Sequence, residues 1–231
     1  MNLYSTYAKN FSATRQAPWK GWEVLPYNKL LDNNKNVLDL GCGNGRFLKY
    51  LLNKRKESIN FYLGVDNSQE LLNIAKQELN TSNTSKFIFE NVDLLSERWN
   101  LEIKKEFNLI VAFGLMHHLY TYEQRKNLLK NSIKLLSKGG FLIITYWQFA
   151  LIKRFEDLII NPSTLSEKFE LKENDYILKF GNDKGAYRFC HFTDIAEIVE
   201  LEKDIPFKMI KTFYSDGKDN QQNLYKIYQK I

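Results

Sequence analysis

From residue 35 onward the chain alternates between two hydrophobic rhythms. NVLDL (Asn36 to Leu40) is a short, nearly unbroken apolar run, which predicts a buried strand. NGRFLKYLLNK follows and places Phe47, Leu48, Leu51 and Leu52 on one helical face. NFYLGVD (Asn60 to Asp66) predicts a second strand. A helix begins near Ser68, with Leu71, Leu72, Ala75 and Leu79 inward, Asn67 as its expected N-cap and Glu70 three residues on. KFIFENVD (Lys86 to Asp93) and FNLIVAFG (Phe107 to Gly114) predict the third and fourth strands. Thr121 and Gln124 form a capping box, opening a helix to Leu136 whose face is Leu128, Leu129, Ile133 and Leu136. Gly139-Gly140 is its expected end, and FLIITYW (Phe141 to Trp147) is a fifth strand.

Strands alternating with helices require crossover connections, hence an α/β fold with a parallel sheet covered on both faces. Ligands of such sheets bind beyond the carboxyl ends of the strands. Those ends carry Gly41 to Gly45, Asp66, Asp93, Gly114 to His118, and Tyr146-Trp147. The expected organisation is one domain over residues 1–231. An aromatic N-terminal cap (1–34) precedes a cofactor-binding core (35–148), an insertion (149–190), and a C-terminal helix and strands (191–231). In the insertion, DYILKF and AYRFCHF flank GNDKG, which reads as a hairpin. The tail predicts a helix near Thr193 to Lys203 and strands near Phe207 to Phe213 and Asn223 to Tyr228.

Composition changes this picture little. The net charge of +6 suits a phosphate-bearing partner, but the basic residues are scattered in a chain rich in Lys, Asn and Ile. The two cysteines, Cys42 and Cys190, are far apart, which gives neither a disulfide framework nor zinc-ligand spacing, so no metal is expected. No apolar run is long enough for a membrane span, and the start has no apolar leader. The expectation is a cytoplasmic protein.

The chemistry concentrates in LDLGCGNGRF, Leu38 to Phe47. A dinucleotide loop needs a third glycine for close helix packing, yet Arg46 stands there. No Gly-Lys-Ser/Thr follows, which excludes a P-loop. Asp39-x-Gly41-x-Gly43-x-Gly45 instead resembles motif I of the class I S-adenosylmethionine-dependent methyltransferases. That cofactor has no pyrophosphate to cradle. It brings an ammonium and a sulfonium, which favour a carboxylate such as Asp39. Asp66, about 20 residues past the loop, stands where an acid takes ribose hydroxyls. Asp93 stands where an acceptor meets the adenine amino group. The alternative for each acid is a helix cap. Cys42, Asn44, Asn67, Leu94, Phe113 and Gly114 complete the expected cofactor set, with Cys42 as a small packing residue.

The resemblance narrows on FSATRQAPW (Phe11 to Trp19), the pair His117-His118, YRFCH (Tyr187 to His191) and Asp219-Asn220. Together with the glycine loop these are similar to the wobble-uridine tRNA methyltransferases, which esterify 5-carboxymethyluridine. Phe11, Ser12, Thr14, Arg15, Pro18 and Trp19 match the family's N-terminal motif. The chain departs from the family at Leu224-Tyr225, where aromatic pairs are usual, and in its short segment after Trp147. The resemblance implies a Rossmann-like class I fold: a mostly parallel seven-stranded sheet with helices on both faces. It implies S-adenosylmethionine as cofactor and the tRNA anticodon loop as partner. Eukaryotic members also work with a small zinc-binding activator subunit.

Methyl transfer is an in-line displacement, helped chiefly by holding nucleophile and methyl about 3 Å apart. A carboxylate acceptor, with a reference pKa near 4, needs no base but needs a cation to orient it. Arg15 and Arg188 are the candidates; phosphate contacts or surface ion pairs are the alternatives. His117 and His118 are either general bases for a phenol or amine, or buried hydrogen-bonders. Thr14, Trp19, Trp147, Tyr187 and His191 complete the expected acceptor site, the aromatics offering faces for an unpaired base. Trp22 reads equally as a lid over the core. Two rivals remain open: transfer to a small carboxylic acid or phenol, and a non-catalytic module that binds cofactor or RNA.

Overall fold

A computed structural model describes residues 8–31, 34–55, 59–81, 84–165, 170–180 and 186–231. Tyr7 and the expected hairpin turn, Gly181 to Gly185, lie outside the described residues. Among those described, the aperiodic N-terminal segment forms three short helices, α1 (Ala8–Ala13), α2 (Lys20–Glu23) and α3 (Tyr27–Leu30). The alternating region then gives β1 (Lys35–Leu40), α4 (Arg46–Arg55), β2 (Ile59–Asp66), α5 (Gln69–Glu78), β3 (Phe87–Asn91) and β4 (Phe107–Ala112). Helix α6 (Tyr122–Leu135) runs directly into β5 (Leu136–Trp147). Beyond it lie β6 (Ile159–Ile160), β7 (Asp175–Lys179), β8 (Tyr187–His191), α7 (Ile195–Glu202), β9 (Phe207–Ser215) and β10 (Asn223–Lys230).

Seven strands form one sheet in the order β3-β2-β1-β4-β5-β10-β9, parallel except that β10 runs antiparallel to both neighbours. Strand alternation divides the core. Leu38 and Leu40 of β1, Ile110 of β4 and Ile144 of β5 pack with Leu128 and Leu129 of α6 and Ile198 of α7. Val37, Leu109, Val111 and Ile143 face the other way, toward Leu48 of α4, Leu72 and Ala75 of α5, and Trp22 and Leu30. Each such side chain withdrawn from water contributes about 1.5–3 kcal/mol of burial free energy. Trp22 is therefore a core residue of the second face.

A smaller antiparallel sheet, β6-β7-β8, packs on the end of β5 through Phe149, Leu178, Cys190 and Phe192. Its attachment is polar as well. The buried His191 lies between two carboxylates, with Nδ1 2.6 Å from Asp175 and Nε2 2.7 Å from Glu197. Glu197 also accepts from Arg125 Nε at 2.6 Å, and Arg125 Nη1 donates to the Leu119 carbonyl at 2.7 Å. This chain joins β7, β8, α7, α6 and the turn after β4.

Local expectations need three corrections. The N-cap of α5 is Ser68, not Asn67: Ser68 Oγ accepts from Leu71 N, while Asp66 accepts from Ser68 N and holds the turn. Gly139-Gly140 does not end α6. The pair sits inside β5, where Phe107 pairs with Leu136 but Leu109 pairs with Phe141, so the left-handed Gly139 (φ +74°) absorbs the extra residues. The pattern also gave no sign of β6, whose two residues gain strand geometry only by pairing with Ile177 and Leu178.

The close-packing position expected at residue 46 falls on Gly45. Its φ is +72°, and a Cβ there would stand 2.9 Å from Leu79 Cδ1 and 3.1 Å from both Ala75 Cβ and Phe89 Cζ. Gly45→Ala is expected to cost at least about 2 kcal/mol of unfolding free energy, from overpacking added to left-handed strain. Urea unfolding of the cofactor-free protein measures it.

Candidate active site

The sheet order reverses between β1 and β4, and that is where a doubly wound sheet leaves a crevice at its carboxyl edge. The crevice is a cavity of about 790 Å³. Its base is the glycine loop. Gly43 N donates to Asp66 Oδ2 at 2.9 Å, and Ser68 N donates to Asp66 Oδ1 at 2.9 Å, so one carboxylate fixes the loops after β1 and β2 together. A Cβ on Gly43 (φ +54°) would meet only Phe11 Cε1, at 3.9 Å, an ordinary van der Waals distance. The loop thus leaves room for a ligand against its backbone.

Asp39 ends β1 on the side of α4 and α5, 2% exposed, and accepts a 2.5 Å hydrogen bond from Tyr62 OH. Burial pushes its pKa up to about 7; the Tyr62 hydrogen bond pulls down and the nearby Asp66 adds a further push up. Burial likewise raises Asp66, against the backbone N–H groups of Ser68, Gly43 and Asn67 that hold it down. Two acids beside a desolvated loop make a seat for a cation. The adjoining wall is apolar: Leu71, Val92, Leu94 and Leu95.

The rest of the lining is aromatic and cationic. Burial, then the like charge of Arg15, lowers Arg46 to about 10, so it remains a cation at neutral pH. Its guanidinium lies 5.3 Å from the Trp19 ring centroid and 5.5 Å from that of Trp22, and Nη1 donates to the Ala17 carbonyl at 3.2 Å. Arg15 lies 5.0 Å over Phe11, and Arg188 lies 5.2 Å from Trp147 and 5.3 Å from Phe180. Phe11 and Phe180 stack with centroids 6.3 Å apart, which brings α1 against the small sheet. His117 and His118 lie on a short 3-10 turn (Met116–His118), with ring centroids 4.0 Å apart. Burial lowers both imidazoles, with Arg188 adding to the push; His118 falls to about 3. Both are neutral at physiological pH.

Of the residues expected from the sequence, Arg15, Trp19, Asp39, Gly41, Cys42, Gly43, Asn44, Asp66, Asn67, Leu94, Phe113, Gly114, His117, His118, Trp147, Tyr187 and Arg188 line this cavity. Four expected residues stand elsewhere. Asp93 lies two residues past the end of β3, is exposed, and accepts from Leu95 N at 3.0 Å. Gly45 packs against α5, and His191 is enclosed by Asp175 and Glu197. Thr14 is exposed and accepts from Arg15 Nη1 at 2.7 Å, so it borders the arginine rather than the cavity.

Two features escaped the sequence reading. Arg46 counted there only as a failed glycine; its place at the start of α4, directly after the loop, is the signal that could have found it. The other is Asp216, buried with φ +69°. It accepts from Gly21 N at 2.9 Å, Asn223 Nδ2 at 2.8 Å and Tyr225 OH at 2.6 Å, and so clamps α2 and its tryptophans to the last hairpin. The neighbouring Asp219 and Asn220 are exposed.

The fold is that of the class I S-adenosylmethionine-dependent methyltransferases, and residues 38–142 match the model of the methyltransferase domain. An S-adenosylmethionine-dependent methyltransferase structure from Clostridium acetobutylicum superposes with a TM-score of 0.68, at 16% identity, over 99% of both chains. In sequence the chain resembles the tRNA (carboxymethyluridine(34)-5-O)-methyltransferases. The one of Arabidopsis thaliana is 30% identical over 72% of this chain, and that of Saccharomyces cerevisiae is 28% identical over 63%. The matched region spans 36% and 46% of the lengths of these two relatives.

The site fits S-adenosylmethionine: acids for its positive groups, a glycine backbone, and an apolar wall. Asp39 is ionised above about pH 7 and protonated below, and a bound ammonium favours the ionised form. Affinity for S-adenosylhomocysteine, which keeps that ammonium, should be level from about pH 8 until the ligand's own ammonium deprotonates. Below about pH 7 it should fall by up to about tenfold per pH unit. Calorimetry across this range checks the slope, and Asp39→Asn should flatten it.

Proposed function

We propose that this methyltransferase acts on an anionic acceptor, and that the acceptor is the carboxylate of a modified wobble uridine in tRNA. The observation that carries the reading is the pairing of guanidinium groups with neutral histidines around one cavity. A general base works best with a pKa near the operating pH, and His118, lowered to about 3, is far from it. A phenol or amine acceptor would need such a base. A carboxylate arrives ionised and needs only charge and orientation, which guanidinium groups supply. The names of the relatives support tRNA as the bearer of that carboxylate. Trp19, Trp147 and Tyr187 add aromatic faces of the kind that hold unstacked loop bases.

Bound cofactor supplies an electrophilic methyl group on a sulfonium. In this reading Asp39 and Asp66 hold its positive and ribose groups. Arg46, starting the helix after the loop, serves its amino-acid carboxylate. Arg15 and Arg188 orient the acceptor, and the histidines pack beside it as neutral rings. A second reading, a small carboxylic acid as acceptor, is favoured by the Phe11–Phe180 stack beside the cavity, which narrows access for a folded RNA.

Incubation with labelled S-adenosylmethionine and total tRNA should give label in tRNA that mild alkali releases, as from an ester. No transfer to tRNA from any of several hosts defeats the tRNA reading; transfer to an RNA-depleted metabolite extract instead establishes the second. The two arginine roles separate kinetically. Arg188→Met should lower kcat/KM for the acceptor by about 100-fold or more, the cost of losing a charge-assisted contact, with S-adenosylhomocysteine affinity unchanged. Arg46→Met should weaken that affinity by about tenfold or more.

A further inference from the structure

The turn after β4 and the small sheet bring together three residues that no step above uses as a set. One ring nitrogen each of His117 and His118 and the Cys190 sulfur lie within 4.8 Å of one another. We propose that His117, His118 and Cys190 form a binding site for a thiophilic divalent metal ion of the zinc class, with its fourth position open to the active-site cavity.

The chemistry of the donors points to that class. Imidazole and thiolate are the ligands of zinc and its neighbours, whereas calcium and magnesium take oxygen. In a tetrahedral zinc site, bonds of about 2.0–2.3 Å put the donor atoms roughly 3.3–3.8 Å apart. The three donors, all within 4.8 Å of one another, need to close by at most about 1.5 Å to reach that spacing. His117 Nδ1 is buried and has no hydrogen-bond partner, an unsatisfied polar atom that calls for an occupant. His118 interacts with the backbone of Phe189, the kind of outer contact that orients a ligating ring. Cys190 is fully buried among Phe149, Leu178 and Phe192, so water does not compete for the sulfur.

Both histidines line the cavity, so an ion held by them and Cys190 keeps one face toward the acceptor. Three protein ligands plus an open position is the arrangement of reactive zinc sites. Arg188 opposes a dication here, since its charge acts on both histidines. Ionisation of Cys190 on binding offsets one of the added charges, and an anion in the open position offsets another. The ligands come from segments more than 70 residues apart in the sequence. That separation is why cysteine spacing gave no metal signal.

The test is titration of the full chain with cobalt(II), after reduction with a phosphine rather than a thiol. One equivalent should produce a sulfur-to-cobalt charge-transfer band in the near ultraviolet and intense visible bands of four-coordinate cobalt, both abolished by zinc. Cys190→Ala should remove the charge-transfer band and weaken zinc binding by about 100-fold or more, since even outer-shell losses cost 10–100-fold. Cys42→Ala should leave the band intact. His118→Gln provides a second variant with the same expected loss, and S-adenosylhomocysteine binding by calorimetry shows that each variant is folded. Absence of the band in the unaltered protein, or its persistence in Cys190→Ala, overturns the site. Neither result depends on which acceptor is methylated.

Discussion

The Asp66 carboxylate is the constraint on which the site depends. Its two oxygens accept from Gly43 N and Ser68 N, each at 2.9 Å, and so lock two loops that the sequence separates by more than 20 residues. A carboxylate that accepts backbone N–H groups stays ionised more readily than burial alone would allow. That is why one acid can be both a structural tie and part of a cation seat. The tie also requires a glycine whose backbone can turn at residue 43 and a neighbour, Gly45, small enough for α5 to come close. The glycine loop is thus shaped from two sides: the carboxylate sets its upper edge, and the Leu79–Ala75–Phe89 surface sets its back.

Once the loop is fixed, the cavity carries charge of both signs. Asp39 and Asp66 sit at the base, Arg46 stands near enough to Asp39 for their charges to interact, and Arg15 and Arg188 stand among aromatic rings. Inside a protein, charges of opposite sign attract more strongly than in water, and the same low dielectric raises the pKa of any acid left without a partner. Asp39 shows the second effect even with partners: burial pushes it to about 7 against the Tyr62 hydrogen bond and the Arg46 charge. Such a cavity suits a ligand that is cationic at one end and meets an anion at the other. A sulfonium nucleoside beside a carboxylate has that polarity. A phenol beside a general base does not, because burial, with Arg188 adding to it, holds the histidines neutral.

Much of this was legible in the chain. The strands of the main sheet come from apolar runs with a clear rhythm, and β1, β2 and β4 begin or end within one or two residues of expectation. The capping box at Thr121 and Gln124 is realised with both bonds. The glycine loop and Asp66 were legible because their chemistry is local: the strand end, the turn and the acid lie close in sequence. What stayed hidden is made by long-range contact. Asp93 read as a strand-end acid, but β3 stops at Asn91 and the side chain turns outward to its own backbone. His191 read as an acceptor contact, but Asp175 and Glu197 claim both ring nitrogens. Asp216 read as nothing, because the donors it binds lie 195, 7 and 9 residues away.

Arg46 shows how a misfit can become a functional element. A cation at the first turn of a helix is opposed by the helix dipole, so the position is unfavourable unless something offsets it. Among the described residues no carboxylate lies within ion-pair distance of it. The offset is aromatic: the faces of Trp19 and Trp22 stabilise the guanidinium by about 0.5–2 kcal/mol without neutralising it. A carboxylate partner would have competed with any anionic ligand. Aromatic support keeps the charge and most of the donors available. The tryptophans that give it are held by the Asp216 clamp through Gly21, on which a Cβ would stand 2.3 Å from the Tyr225 ring. The N-terminal segment therefore supplies Arg15 and the rings that support Arg46, and the packing of α2 on the last hairpin sets where those rings hold the Arg46 charge.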